Sequence, residues 1–327
     1  MNSNKKIAVV LFQLGGPDSL ESVKPFLYNL FCDPDIINFP GAFLARKFLA
    51  KIIANRRAPI AAGHYKEIGG KSPILELTRN QAVALERELN KEANVKVFIA
   101  MRYWHPLTEV AVSEIKKGNY SQVILLPLYP QYSMATTLSS VKEWNLQCDR
   151  LKFNNEHQEL IESYYNHPLY IQAIVERINS VYPKFSHLNT ADVDIVFSAH
   201  GIPVSLIEAG DPYQKHIQET VRLVVEQGQW KSPHLLCYQS KVGPAEWLKP
   251  SIDATLKELA SKGRKHLLVV PIAFVTEHIE TLHEINMEYR EVAEHLGITQ
   301  YEMMPALNDS PTFIQCLKDL VLSKLTV

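Results

Sequence analysis

Runs of apolar residues without polar alternation recur along the chain at residues 7–14, where only Gln13 is polar, and at 123–128 and 267–274, and shorter apolar-rich runs occupy 95–101, 193–197 and 234–238. Unbroken apolarity over the length of a strand marks strands covered on both faces, as in parallel sheets. Between them the apolar positions recur at helical spacing over 81–92, 109–117, 167–182, 212–227, 253–261 and 313–324. Asp18 or Ser19 is placed to cap a helix running to about residue 31. Strands alternating with helices throughout predict an α/β class with parallel sheets.

Two echoes divide this pattern into halves. Leu14-Gly-Gly-Pro-Asp-Ser-Leu20 matches His200-Gly-Ile-Pro-Val-Ser-Leu206, each after an apolar strand. Val123-Ile-Leu-Leu-Pro127 with Thr137-Leu138 matches Leu267-Leu-Val-Val-Pro271 with Thr281-Leu282 at one constant offset. Residues 145–159 are polar, show no clear period and mark the boundary. The expectation is two similar Rossmann-like domains, 1–150 and 151–310, each a parallel sheet flanked by helices, with the active site in the cleft between them. A last helix, within 311–327, is expected to pack back on the body.

After the 267–274 run the period changes. Glu277, Glu280, Glu284 and Glu288 follow at intervals of three, four and four, which on a helix is one nearly axial stripe of carboxylates. No Lys or Arg is interleaved, so neighbours repel by a few tenths of a kcal/mol per pair. A solvated helix face is the ordinary explanation of such a stripe. Its place directly after a buried strand, where open α/β sheets put their ligand crevices, makes it a candidate metal or proton site instead. His278 stands beside it. His200 is the second candidate, at the carboxyl end of a buried strand and before Gly201, which permits a sharp turn. The first half has the inert Leu14 at the matching position. Gly15-Gly16 is not the G-x-G-x-x-G of a dinucleotide site, and neither a P-loop nor a G-x-S-x-G elbow occurs, although Ser198 is near His200.

Composition narrows the partners. With 34 basic against 35 acidic residues in 327, no global field recruits nucleic acid, and any charge-driven binding must be local. Such a local feature lies at residues 41–57, where Phe43, Leu44, Phe48, Leu49, Ile52 and Ile53 keep helical spacing. Arg46, Lys47, Lys51, Arg56 and Arg57 add positive charge and no acid, which suits a core-packed helix or one lying on an anionic membrane surface. Cys32, Cys148, Cys237 and Cys316 form no C-x-x-C pair, which argues against a disulfide framework or structural zinc and for a reducing cytoplasm. The apolar run near the N-terminus is too short for a signal-peptide core, and none approaches the roughly 20 residues of a spanning helix.

The ordered set of motifs resembles the ferrochelatase family from Leu14-Gly-Gly-Pro17 to the last helix. It includes Ile68-Gly-Gly-Lys-Ser-Pro73, Met101-Arg-Tyr-Trp-His-Pro-Leu-Thr-Glu109, Leu128-Tyr-Pro-Gln-Tyr-Ser133 and Phe197-Ser-Ala-His-Gly-Ile-Pro203. Gly210-Asp-Pro-Tyr213, Gln239-Ser-Lys-Val-Gly-Pro244 and Pro271-Ile-Ala-Phe-Val-Thr-Glu-His-Ile-Glu-Thr-Leu282 complete it. The resemblance implies a chelatase-type fold and a lyase that inserts Fe(II) into protoporphyrin IX, releasing haem and two protons. It puts the family's histidine on His200 and its essential glutamate on Glu280, with Glu277, His278 and Glu284 along a locally widened helix as a metal path. Leu14, Tyr65, Arg102, Tyr132, Trp247 and Phe274 fall on porphyrin-pocket positions, and Arg56 and Arg57 on the basic end of the pocket lip.

Departures from relatives refine this. Relatives that use coproporphyrin tend to carry Tyr where Leu14 stands, so Leu14 favours protoporphyrin. The C-terminal cysteines of cluster-bearing relatives have only Cys316 nearby, so no iron–sulfur cluster, and no cofactor beyond substrate Fe(II), is expected. Residues 41–57 would then touch the membrane surface of an otherwise cytoplasmic protein. Two alternatives stay open at this point: a chelatase inserting Co or Ni into another tetrapyrrole, and a protein that sequesters metal or haem without turnover.

Overall fold

The computed structural model describes residues 5–34, 42–154, 156–241 and 245–325, excepting the side chains of 42–44. Gly41, the side chains of Phe43 and Leu44, and Val242, Gly243 and Pro244 of one motif therefore lie outside the described residues. The chain divides into two compact units: Met1–Tyr129 with Ser133–Ser163 and Ile314–Val327, and Pro130–Tyr132 with Tyr164–Phe313.

The first unit runs β1 (Lys6–Gln13), α1 (Val23–Cys32), α2 (Ala42–Glu67), α3 (Ile74–Leu89), β2 (Asn94–Met101), α4 (Thr108–Gly118) and β3 (Gln122–Pro127). A π-helical turn, Met134–Leu138, then leads into α5 (Ser139–Leu151) and β4 (Gln158–Leu160). Its sheet is parallel with order β2-β1-β3-β4. The central strands are apolar on both faces because both are covered: Ala8 to Leu11 and Val123 to Leu126 are buried, as is Trp144 of α5. Each such Val, Leu or Ile contributes about 1.5–3 kcal/mol by leaving water.

The second unit repeats the plan. It contains α6 (Pro168–Val181), β5 (Val193–His200), α7 (Val204–Glu208), α8 (Tyr213–Gly228), β6 (His234–Gln239), α9 (Ile252–Ser261) and β7 (His266–Pro271). A π-helix, Glu280–Glu288, continues into α10 (Tyr289–His295), followed by β8 (Gln300–Met303); α11 (Pro311–Leu322) starts here but belongs to the first unit from Ile314 on. The sheet is again parallel, in the equivalent order β6-β5-β7-β8. The sequence echo has a structural counterpart, since the Thr-Leu pairs after β3 and β7 both fall in π-helical segments.

Several elements differ from expectation. α1 begins at Val23 because Asp18, Ser19 and Ser22 satisfy one another in a turn, Ser22 Oγ donating to Asp18 at 2.6 Å. The basic segment is the first part of a longer helix that continues through Pro59 to Glu67. The polar residues after 144 complete α5 and supply β4, which pairs with β3, so chain beyond residue 150 still belongs to the first sheet. β8 is short and only partly buried, which hid it among polar neighbours.

Candidate active site

β5 delivers His200 to the carboxyl edge of the second sheet, and the main chain there is fixed from two sides. The Tyr213 hydroxyl donates to the His200 carbonyl at 3.0 Å, and the Gly201 N–H donates to the Gln239 carbonyl at 2.9 Å. Gly201 is required by close approach rather than by an unusual turn: a Cβ there would meet the Gln239 carbonyl oxygen at 2.8 Å and the Trp247 ring at 3.2 Å. Beneath, Ser198 Oγ donates to Gln239 Oε1 at 2.8 Å.

β7 delivers the acids. Residues 272–278 form an irregular connection, so Glu277 precedes the helix instead of opening a helical stripe. Its buried carboxylate accepts from the Thr281 hydroxyl and, at 2.7 Å, from the Ala306 N–H, while its own N–H donates to Asn308 Oδ1 at 3.1 Å. The resemblance assigns Glu277 to a metal path; in the structure its oxygens tie the π-helix to the chain after β8. The widening it implies is present as a run of π-helix over Glu280–Glu288. Such segments bond i to i+5 and recur at functional sites.

The first residue of that π-helix meets the strand end. His200 Nδ1 and Glu280 Oε2 are 2.8 Å apart, with both side chains partly exposed. Burial works against charge on either group. For the imidazole, the charge and hydrogen bond of Glu280, with Glu284 beyond, outweigh burial and raise its pKa. For Glu280, the charge and hydrogen bond of His200, then the charge of His278, overcome burial and depress its pKa. One turn on, Glu284 is pushed up to about 7 by burial and then by the charge of Glu280. Ser240 Oγ lies 2.8 Å and 2.6 Å from its two oxygens. Two carboxylates four residues apart therefore differ in role: one ionised, one able to exchange a proton near neutrality.

Aromatic groups flank the pair. The Phe274 ring is 4.6 Å from that of His278 and 6.3 Å from that of His200, edge-on to each. His278 Nδ1 lies 3.1 Å from the Thr276 carbonyl, which fixes the buried ring and leaves Nε2 as its other polar atom. Trp247 bridges to Pro203, and its buried indole N–H has no partner among the described residues. Tyr132 donates its backbone N–H to His216 Nδ1 at 3.3 Å, and His216 stacks on Tyr165. Glu288 is half exposed, 3.4 Å from His283.

The remaining expected residues belong to the first unit. Arg102 lies at the end of β2, its Nη2 2.8 Å from Asp33, its Nε 2.9 Å from Ser139 and its Nη1 3.5 Å from Glu143. The fully buried Asp33 oxygen also accepts from the Tyr103 hydroxyl at 2.6 Å and from Ser139 at 2.8 Å. Arg102 is thus part of a built ion-pair network and not an isolated cation. Leu14 is partly buried just beyond β1, and Tyr65 is buried near the end of α2. Arg56 and Arg57 are exposed on α2, Arg57 lying over the Phe31 ring at 5.8 Å. Ser240 and Tyr213 entered the sequence reading only as motif members, and Asp33 was not singled out, although an acid directly after the apolar end of α1 was the available signal.

A histidine–carboxylate pair at the carboxyl edge of a parallel sheet, with a proton-exchanging acid beside it and two like α/β units in one chain, defines an α/β chelatase. Solved structures agree on the fold. SirB from Bacillus subtilis with Fe3+ matches with TM-score 0.57 at 11% identity, over 98% of this chain and 95% of its own. CbiX, described as the terminal enzyme for biosynthesis of siroheme in denitrifying bacteria, matches with TM-score 0.53 at 10% identity, over 98% and 100%. The ferrochelatase family profile matches residues 6–325. A ferrochelatase from Geotalea daltonii is 47% identical over 320 residues, covering 98% of each chain. One from Picosynechococcus sp. is 47% identical over 326 residues, covering 98% of this chain and 83% of its own. The chain belongs to the ferrochelatase family, the lyases that insert ferrous iron into a porphyrin in the terminal step of haem synthesis.

Proposed function

We propose that His200, Glu280 and Glu284 carry the metal and proton chemistry by which this chain converts protoporphyrin IX and Fe(II) to haem. The ring must lose two pyrrole protons as the two nitrogens that held them, with the other two, close on the metal: Fe(II) and the free porphyrin become haem and two H⁺. The observation that carries the reading is the 2.8 Å contact between His200 Nδ1 and Glu280. It commits Nδ1 to the carboxylate and leaves Nε2 as the nitrogen offered to substrate. A neutral imidazole there accepts a pyrrole proton or ligates iron. The ionised Glu280 orients the ring and stabilises the imidazolium that results. Glu284, with its pKa near 7, takes a proton on toward water, and carboxylates of this kind also ligate a hard divalent ion.

The porphyrin contacts are part of the same proposal. Phe274, Trp247, Tyr65 and Tyr132 supply flat apolar surface, and Arg102 meets the ring as a charge already oriented by Asp33. Arg56 and Arg57 are exposed and offer cations to the propionates. Leu14 has no hydroxyl with which to select a further carboxylate, which favours protoporphyrin over coproporphyrin. α2 lies against a membrane surface through Phe48 and Ile60, holding an otherwise cytoplasmic enzyme where its apolar substrate partitions.

The test is anaerobic. Fe(II) and protoporphyrin IX are mixed with catalytic protein and haem absorbance is followed. Many turnovers are expected, and His200→Ala and Glu280→Ala should each slow them at least about a hundredfold. Stoichiometric binding without turnover would sink the enzyme reading, and wild-type rates in both variants would sink the site assignment.

A further inference from the structure

The motif Gly210-Asp-Pro-Tyr213 is left without a task by the chemistry above, yet the structure brings its tyrosine to the catalytic strand. Tyr213 is the first residue of α8 and is 7% exposed. Its hydroxyl donates to the His200 carbonyl at 3.0 Å. Its own position is set by Asp211, itself buried, which accepts from the Tyr213 N–H through Oδ1 at 2.9 Å. Pro212 presets the chain between them at the helix start.

The need for such a device is visible at the end of β5. His200 is the last residue of the strand, its cross-strand partner on β6 is Gln239, and the β5–β7 ladder has ended two residues earlier at Ser198. After Ser198 the strand has ladder support on one side only. The Gly201 N–H to Gln239 bond holds that side, and the Tyr213 hydroxyl supplies a donor from an element outside the sheet. A residue whose Nδ1 must stay within hydrogen-bond reach of Glu280 depends on where its main chain sits, since an ångström of drift at a reacting group can cost about a hundredfold in rate.

We propose that Tyr213 is a positioning residue for the reaction: through its bond to the His200 carbonyl it holds the imidazole against Glu280. This rests on the reading that His200 takes part in metal insertion. Asp211 and Pro212 complete the device by fixing Tyr213 at the start of α8. The first unit offers a contrast, because Leu14, at the position echoing His200, spends its carbonyl on the backbone N–H of Tyr103 at 3.0 Å, not on a side chain.

Tyr213→Phe removes the hydroxyl and keeps the ring, so folding is preserved and checked by Tm. The bond itself can be read directly, because His200-Gly201 is the sole His-Gly step in the sequence. Labelling with carbonyl-13C histidine and 15N glycine therefore gives one carbonyl–amide cross-peak. In the variant the His200 carbonyl resonance should move upfield, kcat should fall about ten- to a hundredfold, and KM for protoporphyrin should stay unchanged. An unmoved carbonyl resonance overturns the proposal, whatever the rate does. So does a moved resonance with wild-type kcat. Failure of the underlying reading shows separately, as wild-type turnover in His200→Ala.

Discussion

At the scale of single residues, the acids after β7 are distinguished by their surroundings, not by their spacing. Glu280 is held ionised by His200, whereas Glu284 sits among buried groups beside that charge and is pushed up to about 7. This has a consequence for stability whose sign can be worked out. In the unfolded chain Glu284 gives up its proton near 4.5, while in the folded protein it holds the proton until about pH 7. Its contribution to stability is therefore fully present below about 4.5 and is lost as the pH rises through 7. Glu284→Gln carries no such penalty. The variant should match wild type at pH 4.5 and exceed it by about 1–3 kcal/mol at pH 8. Urea midpoints at the two pH values decide this, and a difference independent of pH would refute it.

At the scale of elements, the π-helix is the part the sequence spoke of least clearly. Acids at intervals of three, four and four fit an α-helical stripe, and nothing in the spacing itself says that Glu277 lies before the helix. What decides is tertiary: Ala306 and Asn308, reached only after β8, bind Glu277 and hold it in the connection. The strands were far more legible, because β1, β3 and β7 are covered on both faces and so are apolar at nearly every position. α5 was missed where Ser139 and Ser140 begin it and its exposed positions carry polar residues. α2 passes Pro59 because the proline sits on an exposed face and sacrifices one backbone bond. His200 was legible from its place at a strand end, whereas the reason for Gly201 was not, since the crowding comes from β6. The Glu277 tie also yields a prediction. Glu277→Ala leaves the buried Ala306 N–H without its acceptor and the Thr281 hydroxyl with only the His278 carbonyl, and should cost about 1–3 kcal/mol, with haem formation falling because Glu280 starts the helix so tied. Glu277→Asp should lose less. Denaturation midpoints equal to wild type in the alanine variant would show that the tie holds nothing.

At the scale of the whole molecule, the same four-strand order occurs twice, but only the second unit has a histidine where the echo falls, so one copy of the plan carries the proposed chemistry and the other the basic helix. No helix among the described residues is long and apolar enough to cross a membrane. Net charge is −1, so attraction to an anionic surface has to come from a local feature. α2 has one: Phe48 and Ile60 are 68% and 65% exposed, and Lys47, Lys51, Arg56 and Arg57 are exposed on the same helix. Among its described side chains Leu49, Ile52 and Ile53 are partly buried and Ala50, Ala54 and Tyr65 fully so, which leaves Phe48 and Ile60 as the large apolar ones not spent on the core. A phenyl and a branched aliphatic side chain each gain about 1.5–3 kcal/mol on leaving water, enough together for more than about tenfold in partitioning. Phe48→Ser with Ile60→Ser should therefore float with anionic vesicles at least about tenfold less than wild type. Raising the salt should weaken wild-type flotation as the basic residues are screened. Both proteins floating equally, at low salt and at high, would mean that α2 does not meet the membrane.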